Sequence, residues 1–192
     1  MKNRIIKLLK ETKRPGIEKL IEWMEGNGFF TAPCSGGHHL AKEGGLAEHS
    51  LNVYDLAEDL ALTLCRDEPI ASVNRQSVII VALLHDLGKV GDHGKENYVP
   101  NILKSGKQSD SKPYITSTEL LYLPHEVRSI AIAERFIDLT EEEEHAIYYH
   151  NGKYTHVGYD LKETPLQMLL HFADLWASRQ IEKEEKGEEK ND

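Results

Sequence analysis

The chain has 192 residues, a formal net charge of −9, 40% hydrophobic and 29% charged residues, and only two cysteines, Cys34 and Cys65. This composition fits one ordinary globular domain. It excludes a disulfide framework or a cysteine-based zinc site, and no stretch has the length and flanks of a signal peptide or membrane span, so a cytoplasmic protein is expected. Residues 1–19 hold seven Lys/Arg against Glu11 and Glu18, a net of +5, residues 181–192 carry −3, and the body between them carries −11, a poor surface for tracking a long nucleic-acid backbone.

Residues 2–12 place Ile5, Ile6, Leu8 and Leu9 on one side and Lys2, Arg4, Lys7 and Lys10 largely on the other, which predicts a docked amphipathic helix with a solvated basic face, ending before Pro15. Pro15-Gly16 opens a second helix over residues 17–25, stopped by Gly26-Asn27-Gly28. These two helices, residues 1–28, are expected to pack on the main body at 29–180. Residues 29–45 read as an irregular loop, long enough to be functional, that presents His38 and His39. The helix expected over residues 46–64 carries His49 on the apolar stripe of Val53, Leu56, Leu60 and Leu64, with Gly44 and Gly45 letting another backbone come close.

The run Val78-Ile79-Ile80-Val81-Ala82-Leu83-Leu84 leads straight into His85-Asp86-Leu87-Gly88-Lys89. It predicts a buried central helix from about Asn74 or Arg75 to Leu87, terminated by Gly88, with two metal-capable side chains at its end. The dipeptide alone carries little, since ten His in a chain of 192 make a chance neighbour common. Lys89, directly after the pair, can hold a phosphate or pair with a carboxylate. Glycines and prolines punctuate residues 90–118, with β-prone pieces at Tyr98-Val99 and Tyr114-Ile115-Thr116 that suggest a loose hairpin over the site mouth.

Pro124-His125-Glu126 opens a further helix whose buried stripe is Ile130, Ile132, Ala133 and Phe136. Asp138 is the expected N-cap of the next, which carries His145, Tyr148, Tyr149 and His150 and ends at Asn151-Gly152. Thr164-Pro165 starts the last helix, and Asp174 lies inside its apolar face, a costly place for a carboxylate unless a cation holds it. Residues 181–192 read as an acidic, unstructured tail.

The metal-capable candidates now stand in order: His49, His85-Asp86, His125, His150, Asp174. In that order Gly44-Gly45-Leu46-Ala47-Glu48-His49-Ser50, Leu83-Leu84-His85-Asp86-Leu87-Gly88-Lys89 and His171-Phe172-Ala173-Asp174 resemble the H…HD…D motifs of the HD-domain metal-dependent phosphohydrolases, over about residues 29–180. The resemblance implies an all-α helical bundle in which His49, His85, Asp86 and Asp174 bind a first metal. His125 and His150 resemble the two-metal version, in which Asp86 bridges to a second ion. Members of the cyclic-dinucleotide branch have a paired His where Asn151 stands, and their Gly-Tyr-Pro signature is absent, a departure from that branch. An N/O ligand set from separate helices suits Mn, Fe, Co, Ni or Mg better than tetrahedral zinc.

The activity implied is hydrolysis of a small phosphate ester, a nucleotide in the first instance, by metal-activated water. Asp86 and Lys89 are the residues expected to carry the chemistry, Lys89, His39 and Arg128 to contact the phosphate, and Tyr149, Lys153 and Tyr154 to line the entrance. The same ligand order resembles the mixed-valent diiron oxygenases of the superfamily. An exonuclease using the basic N-terminal helix and a non-catalytic module with a structural metal are further alternatives.

Overall fold

The central helix is buried on every side, and the rest of the chain is arranged to bury it. The computed structural model describes residues 1–64, 73–152 and 162–183. Its elements are α1 (Lys2–Glu11), α2 (Ile17–Gly26), α3 (Gly45–Leu64), α4 (Arg75–Leu84), a 3-10 turn (Leu87–Val90), β1 (Gly91–Asp92), β2 (Lys95–Glu96), β3 (Tyr98–Pro100), β4 (Tyr114–Thr116), α5 (His125–Ala133), α6 (Glu141–Tyr148), α7 (Pro165–Trp176) and a π-helical turn (Ala177–Ile181). This is a helical domain with two small antiparallel hairpins, β1–β2 and β3–β4, the latter pairing Val99 with Ile115 where the β-prone pieces lie. Among the described residues, no helix is long and apolar enough to cross a membrane.

The seven apolar residues from Val78 to Leu84 are all within 2% of complete burial, so beyond its exposed first turn α4 has no solvent face. It packs against α1, α3, α6 and α7, and Asn74 caps it by accepting from the Gln76 amide at 2.9 Å. Ile5 and Leu9 of α1 and Leu20 and Met24 of α2 belong to the same core cluster. The basic face of α1 is tied down: Lys2 pairs with Glu25 at 2.7 Å, Lys10 with Glu18 at 3.1 Å, and Arg4 forks onto Asp55. Those charges are spent on intramolecular contacts.

Several boundaries differ from the sequence reading: α5 ends at Ala133, before Phe136, and α6 at Tyr148, before His150, while two further differences have a clear local reason. The central helix stops at Leu84 rather than Leu87, because the chain tightens into the 3-10 turn directly after Asp86. Gly88 therefore does not end the helix by a left-handed residue. It is required because a Cβ there would sit 2.3 Å from the His125 carbonyl oxygen and 2.8 Å from the Arg128 Cβ; its amide donates to Ser129 Oγ at 2.8 Å. The glycine thus lets α5 lie against the turn that bears Asp86. The cap of α6 is Thr140, not Asp138: Thr140 Oγ1 accepts from the Glu143 amide at 3.2 Å while Glu143 Oε2 accepts from the Thr140 amide at 2.9 Å. Arg14 anchors this corner, donating to the Asp138 carbonyl at 2.7 Å and pairing with Glu143.

Candidate metal centre

Asp86 is the point on which the site converges. Its backbone (φ −103°, ψ 10°) lies between helical and extended geometry, at the change from α4 to the 3-10 turn, and this kink turns its side chain toward that of His85 although the two are adjacent. Both side chains are fully buried, with His85 Nε2 3.5 Å from Asp86 Oδ2. His49 comes from the first turns of α3, set there by Gly45, where a Cβ would collide with the Leu40 carbonyl at 2.1 Å. Its Nε2 lies 3.4 Å from Asp86 Oδ2, 3.3 Å from His85 Nε2 and 3.2 Å from Oδ1 of Asp174 on α7. On the other side of the carboxylate, His125 Nε2 is 3.1 Å and His150 Nε2 3.8 Å from Asp86 Oδ1. The six residues expected as ligands are therefore brought together, from the three helices α3, α5 and α7 and from the C-terminal ends of α4 and α6.

Each of the four imidazoles is held by its other nitrogen. His85 Nδ1 donates to the Ala82 carbonyl at 3.0 Å and His150 Nδ1 to the Ile147 carbonyl at 2.7 Å; His49 Nδ1 faces Glu182 at 2.9 Å, and His125 Nδ1 faces Glu126 at 3.4 Å. The backbone carbonyls fix His85 and His150 with Nδ1 protonated and Nε2 facing inward, and the Nε2 atoms of His49 and His125 likewise face Asp86. Gly152 and His171 add a buttress: His171 Nδ1 donates to the His150 carbonyl at 2.7 Å, and a Cβ on Gly152 would strike the His171 ring at 2.8 Å.

These residues fit a divalent cation. Asp86 Oδ1 and His125 Nε2 are buried and face each other, yet neither has a hydrogen-bond partner among the described residues. Leaving two such groups unsatisfied is costly in a protein interior, and a shared cation satisfies both. The charge balance agrees. Burial works against charge on His49, but the carboxylates of Asp174, Glu182 and Asp86 outweigh it and raise its pKa to about 9. Burial pushes His85 down to about 3, and it lowers His150 as well. Burial would raise Asp86, but Lys89 first, then His85 and His125, hold it well below the usual carboxylate range. Among the described residues, four sets of three side chains have the reach to share an ion: His49/His85/Asp174, His85/Asp86/His150, His125/Glu126/His150 and Cys34/His39/His49.

The expected substrate contacts are less uniform. Lys89 pairs with Asp86 Oδ2 at 2.6 Å and also lines a pocket of about 570 Å³, so it touches both the centre and its mouth. Arg128 lines the same pocket, its guanidinium donating to the Leu121 carbonyl at 2.8 Å. His39 stands behind His49 instead, 3.3 Å from Cys34 Sγ, with its ring centroid 5.1 Å from that of His49. Tyr148, not Tyr149, lines the pocket; the Tyr149 ring packs on His145 with centroids 4.9 Å apart. Lys153 and Tyr154 lie outside the described residues. The remaining walls include Tyr98, Thr116, His125, Glu126 and Asn151, and the Asn151 amide donates to Glu126 Oε1 at 2.7 Å.

Sequence reading missed three contributors. Glu126 directly follows a ligand, which was a usable signal. Cys34, one of two cysteines too few for a cysteine-based site, is fully buried, and burial raises its pKa despite Lys89 Nζ at 3.9 Å. Glu182, the first acid of the presumed tail, is buried against His49. Comparison with known families matches residues 46–177 to the HD domain. No curated protein and no solved structure matches the chain.

Proposed function

The chain belongs to the HD domain family, a superfamily of metal-dependent hydrolases, and from that premise we propose that it hydrolyses a small phosphate ester, a nucleotide first among the candidates, with two divalent ions held on either side of Asp86. The observation that carries this reading is the division of one buried carboxylate: Oδ2 faces His49 and His85, while Oδ1 faces His125 and His150. A carboxylate set between two imidazole pairs is suited to bridging two cations. His49, His85 and Asp174 would hold the first ion and His125 and His150 the second, with Asp86 common to both.

Divalent ions held there supply an acidified water and positive charge for the phosphoryl oxygens. The chain's own part is placement. Lys89, locked to Asp86 yet lining the pocket, adds a fixed positive charge at its floor, and Arg128 adds a second on the wall. Tyr98 and Tyr148 give the pocket aromatic faces suited to a planar leaving group, and about 570 Å³ suits a mononucleotide better than a polymer. The ion pairs that occupy α1 count against a polymer track through the N-terminus.

The test is metal analysis followed by a panel of nucleotides and generic phosphate mono- and diesters with Mn²⁺, Fe²⁺, Co²⁺, Ni²⁺ or Mg²⁺. Metal-dependent phosphate or alcohol release that disappears in Asp86→Asn supports the reading. Iron-dependent oxygen uptake with no phosphate-ester turnover would replace it with the oxygenase alternative.

A further inference from the structure

Glu182 lies five residues beyond the family match, in a stretch whose composition reads as solvated, yet its side chain is 1% exposed. Both carboxylate oxygens face His49 Nδ1, at 2.9 and 3.0 Å, and Asn52, one turn after His49 on α3, donates to Oε1 at 3.0 Å. We propose that Glu182 is a positioning residue of the metal centre. Its carboxylate holds the Nδ1 proton of His49, so that Nε2 is kept as the ion-facing atom, and the C-terminal turn becomes an obligatory part of the site.

The backbone explains how the residue arrives there. Had α7 continued as a regular helix, position 182 would stand about 80° around the axis from Asp174. The π-helical turn over Ala177–Ile181, closed by the Glu182 amide on the Ala177 carbonyl at 3.0 Å, sets the phase back by about one residue, or about 100°, and returns Glu182 to the face of Asp174. Asp174 and Glu182 thus face opposite nitrogens of one imidazole, at 3.2 Å from Nε2 and 2.9 Å from Nδ1. His85 and His150 obtain the same service from backbone carbonyls of their own chain segments, which need no distant partner. His49 has Leu46 as its corresponding carbonyl, but that oxygen is taken by Ser50 Oγ at 3.0 Å, so the distant carboxylate supplies what the helix does not.

The role rests on the metal-centre reading, and it is tested by metal affinity rather than turnover so that the two can fail separately. Full-length wild type, Glu182→Gln and Glu182→Ala are titrated with Mn²⁺ against a competing chelator. The metal-free thermal midpoints are compared, and the His49 Nδ1 proton is followed by NMR in the Zn²⁺-loaded protein. The expected result is a loss of about tenfold or more in affinity for Glu182→Gln, a larger loss for Glu182→Ala, and faster solvent exchange of the Nδ1 proton in both. The metal-free midpoint of Glu182→Gln, which keeps the size and an acceptor oxygen, should stay within about 2 °C of wild type. Affinity within twofold of wild type with an unchanged Nδ1 signal would overturn the positioning role while leaving the metal centre intact. A wild type that binds no ion would overturn both.

Discussion

The two sides of Asp86 are built differently. On the Oδ2 side, His49 and His85 are wholly buried, their Nδ1 atoms are held by Glu182 and by a backbone carbonyl, and Lys89 closes the carboxylate at 2.6 Å. On the Oδ1 side, His125 is 30% exposed at the floor of the pocket, and the two facing atoms, Asp86 Oδ1 and His125 Nε2, have no hydrogen-bond partner among the described residues. The described residues satisfy one half and leave two facing atoms of the other without a hydrogen-bond partner. On the two-ion reading proposed above, the closed half would retain its ion and the open half would exchange ligands with solvent and substrate.

The most severe break removes the shared group. Asp86→Asn keeps the volume but loses the anion, and it should strip both halves of metal and lower turnover by about a thousandfold or more, read by metal analysis and steady-state kinetics. Next come the single-sided variants. His49→Ala should weaken the tight ion by about a hundredfold or more, whereas His125→Ala should abolish the weaker binding step and leave the tight one in place, as isothermal titration would show. The reverse pattern would invert the assignment of closed and open halves.

A backbone change sharpens the comparison. Gly88→Ala pushes a methyl into the His125 carbonyl and should cost about 2–3 kcal/mol of stability by denaturant titration. The loss of metal should fall mainly on the His125 side, since α5 is the element displaced. The smallest effect serves as a control remote from both halves. Arg135 donates to Asp92 Oδ1 at 2.9 Å and, ahead of burial, holds that carboxyl below its ordinary value. A depressed carboxyl contributes stability that is complete above its unfolded pKa of about 3.9 and is lost as pH falls through the folded one. Asp92→Asn should therefore cost about 0.5–1 kcal/mol near pH 7 and progressively less toward pH 3, the guanidinium being partly solvated.

What the sequence disclosed and what it hid divide along a physical line. His49, His85, Asp86, His125, His150 and Asp174 were legible because each is a polar group on an apolar helical face or at a helix end, where burial without a partner is expensive. α4 was legible from seven consecutive apolar residues, though not its last turn, because the 3-10 tightening depends on α5 approaching Gly88. Glu182 was illegible: nothing in Ile181-Glu182-Lys183 distinguishes it from the acids that follow, and only the phase shift of the π-helical turn brings it inward. Tyr148 and Tyr149 could not be told apart for a similar reason, since one residue of helix phase decides which reaches the pocket.

On the proposed reading one carboxylate, Asp86, would join two ions of unequal tightness. Electron paramagnetic resonance of the Mn²⁺-titrated protein tests it most directly. A first equivalent should give an isolated-ion spectrum, and a second, weaker equivalent should convert it to an exchange-coupled pair, as expected for ions sharing Asp86. Saturation at one Mn²⁺ per chain, or two ions whose spectra stay uncoupled, would contradict it.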